Sequence, residues 1–190
     1  MRYSKKEIFT IPNLLSVFRI ILIPVYAVLY MKAQVMKDYI MSAVVFIVSA
    51  LTDMVDGMIA RKFNMRSRIG IMLDPFADKL TQGVVILCLT LRNLAILPLL
   101  VLFILKEGFM FVMACRLLHS GKMLDGALMT GKVCTTVLFI SMAVLVVFKN
   151  IPIGGIYAIV GICSVFMIIS LVSYAKTFFT ASEHIRDIEE

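Results

Sequence analysis

Histidine, cysteine and acidic residues are scarce in this chain, and where they stand narrows its chemistry. Of 190 residues, two are His, four are Cys and twelve are Asp or Glu. His119 and His184 fall in a loop and in the tail, and read as ordinary solvated residues. Cys88, Cys115, Cys134 and Cys163 lie far apart inside apolar segments. None forms a Cys-x-x-Cys pair or stands near a histidine at ligand spacing. That excludes a Cys/His metal site and leaves four reduced packing thiols. No internal repeat or low-complexity tract is present, and no polar joint is long enough to hold a further domain. The first apolar stretch lacks a small-residue cleavage site and is interrupted by Arg19, so it reads as a retained helix and not a signal peptide.

Apolar residues are what the chain has in abundance. It is 61% hydrophobic with a mean hydropathy of +0.99, against roughly 45–50% apolar residues in soluble domains. This predicts an all-α integral membrane protein with little mass outside the bilayer. Six stretches reach the ~20 residues that cross a ~30 Å hydrocarbon core, at about 12–31, 39–61, 72–92, 94–118, 129–149 and 151–176. Fourteen methionines spread through them as lipid-facing or gap-filling packing. Pro12 fits the first turn of helix 1, Pro24, Pro98 and Pro152 kink or begin helices, and Pro75 reads as first-turn in helix 3. Length allows one domain over residues 1–190. Residues 1–11, which open MRYSKKEIF, mix basic and apolar side chains and read as an interfacial segment or a basic tail.

A net charge of +7 would point to nucleic acid in a soluble protein. Here the basic residues gather in loops, as the positive-inside rule expects, and no nucleic-acid partner is implied. With the N-terminus inside, twelve Lys and Arg fall on that face, against Lys32, Lys37, Arg92 and Lys149 on the other. Both termini are therefore expected in the cytoplasm.

Four acids break the apolar pattern: Asp53, Asp56, Asp74 and Asp78. A charged side chain at the centre of a membrane helix costs roughly 2.5–3.5 kcal/mol on insertion scales, so a group of them needs positive charge nearby. On a helix Asp53 and Asp56 share a face, and Gly57 and Ala60 lie on the same stripe, leaving an open slot beside the carboxylates. Asp74 and Asp78 are one turn apart on the next helix. A joint of about ten residues makes these two helices antiparallel neighbours, with their acids meeting toward the cytoplasmic end. Oxygen donors without His or Cys suit hard cations such as Mg²⁺ or Mn²⁺. Two such ions ~4 Å apart fit a phosphate-transfer site, and Arg61 and Lys79 rim it as a diphosphate would require.

The spacing Asp53-x2-Asp56-Gly57-x2-Ala60-Arg61-x8-Gly70-x3-Asp74-x3-Asp78 resembles the signature of the CDP-alcohol phosphotransferase family at every fixed position. Ile11-Pro12-Asn13-Leu14 followed by Arg19 is similar to the start of bacterial phosphatidylglycerophosphate synthases and the related cardiolipin synthases. The resemblance implies a six-helix bundle in a bacterial plasma membrane, with its active site facing the cytoplasm. It implies two divalent cations, Mg²⁺ or Mn²⁺, on Asp53, Asp56, Asp74 and Asp78, with Asp78 as general base toward the acceptor hydroxyl. It implies a site for CDP-diacylglycerol at Gly57, Ala60, Arg61 and Gly70, with Thr52, Asn13 and Arg19 beside it. Family members are often homodimers, which carries over as an expectation.

The acceptor alcohol is read from basic residues: Lys106, Arg116, Lys122 and Lys132. Gly131-Lys132 followed by Thr135 resembles the Gly-Lys-x-Lys-Thr stretch of phosphatidylglycerophosphate synthases, with Cys134 in place of the second Lys. The family's Arg-Glu reads Lys106-Glu107, and an expected Arg reads Ala114, with Arg116 two residues on. Glycerol 3-phosphate is the preferred acceptor and phosphatidylglycerol, which would give cardiolipin, the alternative. The rival of another class is a small cation transporter with the aspartates as its path.

Overall fold

The structure is a computed structural model in which residues 11–62, 68–119, 128–148 and 150–189 are described. Their regular structure is helical throughout. Helix α1 runs Ile11–Lys32, α2 Met36–Lys62 and α3 Arg68–Arg92; a 3-10 turn at Leu94–Ile96 leads into α4 Leu97–His119; α5 is Met129–Val147 and α6 Ile153–Glu189. The first five follow the expected stretches to within four residues at each end, and α6 runs thirteen residues beyond the expected 176. Residues 1–10 of the expected interfacial segment lie outside the described residues. Helix α3 starts four residues before the expected 72, so Pro75 stands inside the helix and not in its first turn.

Among the described residues, four helical segments are long and apolar enough to cross a membrane: Asn13–Lys32, Leu94–Arg116, Met129–Val147 and Ile153–Phe178. Within each, only 22–33% of the most apolar window is buried in the protein. Most of that apolar surface therefore needs lipid around it, and the chain is built as an integral membrane protein.

The described residues divide into two compact units. The first holds α1, α2, α3 and the stretch from Met142 to Asn150; the second holds Asn93–Ser141 and the chain from Ile151 onward. In the first unit α1 packs along both α2 and α3. Its inward stripe is legible at helical spacing: Asn13, Ser16 and Arg19, then Ile23, Tyr26 and Tyr30, all buried. The stripe is polar for two turns and aromatic thereafter. Tyr26 stacks on Tyr30 at 5.6 Å between ring centroids, and Tyr30 meets Tyr39 of α2 edge-on at 5.7 Å. These contacts make α1 antiparallel to α2. Arg92 at the end of α3 reaches the end of α1, which makes α1 and α3 parallel. The unit thus has a polar end, formed by Asn13, Ser16, Asp53 and Asp74, and an opposite end closed by Arg92.

In the second unit α4 packs on α6. Asn93 caps the 3-10 turn, its side chain accepting from the Ala95 N–H at 3.0 Å. Leu99, Phe103, Cys134, Leu138, Cys163 and Met167 are buried in this unit.

Candidate active site

Building the polar end starts from Arg19. The residue lies 1% exposed on α1, in a stretch otherwise suited to lipid. A guanidinium so placed loses its hydration, at several kcal/mol, unless an anion and hydrogen bonds replace the water. Asp53 of α2 supplies the anion, in an ion pair with Arg19 Nη1. One turn earlier on the same face of α1, the Ser16 hydroxyl donates to Asp74 of α3. Helix α1 therefore holds an acid from each of its two neighbours. The sequence pattern makes α2 and α3 direct partners; among the described residues each instead packs chiefly on α1, which lies against both.

Asp78 completes the group. Among the described residues, Lys79, Asp53 and Arg19 are the charged groups that act on its carboxylate. Asp78 Oδ2 also accepts from Gln82 Nε2 at 2.9 Å. Next to these residues, toward the middle of the unit, a cavity is lined by Tyr26 of α1, Phe46 and Ser49 of α2, and Thr81 and Val85 of α3. The Thr52 hydroxyl turns back on its own helix and donates to the Val48 carbonyl at 2.7 Å. The backbones of Asp56, Gly57, Ala60, Arg61 and Gly70 are helical, while their side-chain placement lies outside the description.

The donor set can be tested against a metal on its own chemistry. Asp53, Asp74 and Asp78 offer only hard oxygens, as Mg²⁺ and Mn²⁺ require. Among the described residues no three His, Cys, Asp or Glu are drawn to metal-ligand spacing; the Asp56 side chain is not among them. The signature also brings four carboxylates, whereas the cations acting on Asp78 are Arg19 and Lys79. By donor chemistry these carboxylates suit a divalent cation.

The residues expected to take the acceptor belong to the second unit. Lys106 is buried and its Nζ donates to Glu107 Oε1 at 2.6 Å, so its charge is met within the helix. Arg116 and Lys132 are exposed. Lys122 lies outside the described residues. Gly131 is packed so closely under Tyr174 that an added Cβ would come 2.5 Å from its Oη and 2.8 Å from its Cε2. The Tyr174 hydroxyl accepts from the Leu128 N–H at 3.2 Å. This glycine therefore has a packing reason of its own.

Two residues of the site escape a reading of the sequence. Ser16 stands one turn from Arg19, and that spacing was its one signal. Gln82 stands one turn beyond Asp78, the only amide side chain in α3.

A stretch of 93 residues is 42% identical to a cardiolipin synthase (CMP-forming) / mitochondrial hydrolase fusion protein of Schizosaccharomyces pombe, covering 48% of this chain and 15% of that protein. A stretch of 82 residues is 39% identical to the CDP-diacylglycerol--glycerol-3-phosphate 3-phosphatidyltransferase of Salmonella typhimurium, and 38% identical to that of Escherichia coli. In both it covers 43% of this chain and 44% of the relative. The chain thus aligns with less than half the length of these relatives. The family profile described as CDP-alcohol phosphatidyltransferase matches residues 9–178, nearly the whole sequence. With that span matched, and with the acids of α2 and α3 gathered around Arg19, the chain belongs to the CDP-alcohol phosphatidyltransferase family.

Proposed function

We propose that this protein transfers the phosphatidyl group of CDP-diacylglycerol to an alcohol and releases CMP. The observation that carries the reading is the meeting of Arg19, Asp53 and Asp78 from three helices, with Ser16 holding Asp74 beside them. An ion path has no need of a signature with Gly57, Ala60, Arg61 and Gly70 at fixed spacing, which weighs against a cation transporter. Asp53, Asp56, Asp74 and Asp78 would hold two divalent cations. When bound, these offset the charge of the diphosphate and of the departing CMP.

The chain's own groups account for the remaining steps. Asp78 takes the proton from the acceptor hydroxyl, whose oxygen bonds to the lipid-side phosphorus as the bond from that phosphorus to the CMP oxygen breaks. Arg19, Arg61 and Lys79 supply positive charge toward the diphosphate. Asn13, Thr52, Gly57, Ala60 and Gly70 form the surroundings of the CDP group. In this reading the chain is one catalytic domain in a bacterial plasma membrane, with six spans and both termini in the cytoplasm. The acids face the cytoplasm, and two copies form a homodimer.

Glycerol 3-phosphate is the acceptor this reading prefers, giving phosphatidylglycerophosphate, with Lys106, Arg116, Lys122 and Lys132 as its basic surroundings. The Salmonella and Escherichia relatives are named for that acceptor. The second reading, phosphatidylglycerol as acceptor and cardiolipin as product, draws support from the Lys106–Glu107 pair. A lysine already neutralised by its neighbour is a weaker partner for a phosphate dianion. Purified protein with labelled CDP-diacylglycerol tests both. CMP release that depends on glycerol 3-phosphate is the expected result, and release only with phosphatidylglycerol selects the second reading. No CMP with any alcohol, alongside cation flux in vesicles, would overturn phosphatidyl transfer altogether.

A further inference from the structure

Gln82 lies outside the family signature, yet it makes a direct contact with the proposed base. It stands four residues after Asp78 on α3, so the two side chains share a face. It is 1% exposed, and its Nε2 reaches Asp78 Oδ2 at 2.9 Å. A carboxylate accepts hydrogen bonds and the carbonyl end of an amide cannot donate one. The contact therefore fixes which way the amide faces. Its Oε1 is then turned away from the acid, buried and without a hydrogen-bond partner among the described residues. A residue placed there for packing alone would be apolar, as its buried neighbours Val85, Ile86 and Leu89 are. Burying an amide with its oxygen unmet is unfavourable, and the donated hydrogen bond to Asp78 is what it gains.

We propose that Gln82 is a positioning residue for Asp78: its amide holds Oδ2 and so presents the other carboxylate oxygen to the acceptor hydroxyl. The inference rests on the phosphatidyl-transfer reading, in which Asp78 removes the acceptor's proton. Glutamine suits this task because it is neutral. A lysine at the same place would pair with the carboxylate and lower its basicity, and an apolar residue would leave the carboxylate free to rotate. Among the described residues, the charges that act on Asp78 come from Lys79 on its own helix, Asp53 on α2 and Arg19 on α1. Gln82 can orient the acid without altering that balance.

The test is full-length protein in detergent or nanodiscs, first confirmed to release CMP from CDP-diacylglycerol, then compared with Gln82→Met and Gln82→Asn. Methionine keeps the volume and removes the donor; asparagine keeps the amide but is one methylene too short. Both should lower kcat about 10–100-fold, the range seen when a partner of a site residue is removed. KM for CDP-diacylglycerol, its directly titrated affinity and the melting temperature should stay close to wild type. Wild-type kcat in both variants overturns the role of Gln82 and leaves phosphatidyl transfer standing. A loss of affinity and melting temperature in step with kcat also overturns it, since that is the mark of a structural residue. Absence of CMP release from the wild-type protein overturns the underlying reading, and this inference with it.

Discussion

Arg19 and Asp53 form an ion pair between α1 and α2 in which one partner is buried and the other is not. The Arg19 side chain is 1% exposed and that of Asp53 45%. Removing one member of a buried pair costs about 3–5 kcal/mol, because the other charge is left without compensation. The asymmetry sets the direction here. Asp53→Asn takes its ion-pair partner from a buried guanidinium; Arg19→Met leaves a carboxylate that solvent can still reach. Asp53→Asn is expected to lower the melting temperature more than Arg19→Met. The reverse order in thermal unfolding would show that Arg19 is stabilised by something other than Asp53.

Chelation separates chemistry from folding. If the acids around Arg19 hold divalent cations, excess EDTA abolishes CMP release in membranes and Mg²⁺ or Mn²⁺ restores it. The helical circular dichroism should not change, since the helices pack through apolar and aromatic side chains. Full activity in excess EDTA is the result that rules the cations out.

Asp78→Asn removes a base while keeping the shape of the side chain and the donor reach of Gln82. Positioned proton transfer contributes roughly 10²–10⁴-fold to rate, so turnover should fall by that factor. Binding of CDP-diacylglycerol, measured by titration, should persist. Turnover within a few-fold of wild type would move the base to another group.

At the opposite end of the unit Arg92 closes the end of α1. Its Nη2 donates to the carbonyls of Tyr30, Met31 and Ala33 at 2.9, 2.8 and 2.6 Å, and Nη1 donates to the Tyr39 hydroxyl. Tyr30 and Met31 belong to the last turn of α1, where carbonyls lack a partner one turn on, and Ala33 lies just past it; the Tyr30 carbonyl also accepts from the Ala33 N–H at 3.3 Å. The guanidinium also lies over the Tyr30 and Tyr39 rings, 5.7 and 5.4 Å from their centroids. Arg92→Ala is expected to cost about 1–3 kcal/mol, taking hydrogen bonds from a charged donor and allowing for the exposure of this side chain. Arg92→Lys should recover less than half of that, because an ammonium lacks the planar fork. The kcat of the protein that remains folded should be unchanged, because the acids lie at the other end. A fall in kcat in step with stability would contradict this separation of the two ends.

What the sequence disclosed, and what it did not, follows from the same contacts. Helical spans were legible because lipid demands a long apolar run, and the acids stood out because lipid penalises them. Arg19 was visible for that reason too, though its pairing with Asp53 was not, since a charge inside a span announces a need without naming the partner. Ser16 and Gln82 were hard to read: a neutral polar side chain in an apolar helix needs a hydrogen-bond partner once buried, but the sequence does not say whether it is buried or which neighbour it meets. Lys32, Lys37 and Arg92 counted alike as basic residues of one face, but only Arg92 turns inward to carbonyls. Thr52 beside Asp53 looked like a polar group for the nucleotide, yet in the structure its hydroxyl is satisfied by Val48 one turn back. A threonine in a helix always has that local option.

Asp38 gives a test with a definite sign. Its Oδ2 accepts from the Gln34 and Val35 N–H groups at 3.0 and 3.2 Å, just ahead of α2, and these bonds hold its carboxyl below the usual carboxylate range. A group whose folded pKa is lowered adds stability that is fully present above its unfolded pKa, near 3.9 for aspartate. That contribution is lost as pH falls through the folded value. Asp38→Asn should therefore lower stability at neutral pH, approach wild type as pH falls through the folded value, and so flatten the acid limb of a stability-against-pH curve below about pH 4. An unaltered acid limb would show that these two bonds do not act on folding.

Gly131 and Tyr174 offer the sharpest discrimination between a packing role and a binding role for the Gly131-Lys132 stretch. An alanine Cβ at 131 would lie 2.5 Å from Tyr174 Oη, 2.8 Å from Cε2 and 3.0 Å from Cζ. Overpacking of this kind costs typically 1–3 kcal/mol, since either the ring or the start of α5 must shift. Tyr174→Phe removes the nearest atom but leaves the ring carbons in place, and it also gives up the acceptor for the Leu128 N–H. The double variant Gly131→Ala/Tyr174→Phe should then remain destabilised, whereas Gly131→Ala/Tyr174→Leu, with the ring gone, should recover part of the loss. Melting temperatures of the four proteins decide it. If Gly131→Ala alone melts like wild type yet loses acceptor-dependent turnover, the glycine serves the acceptor and not the tyrosine.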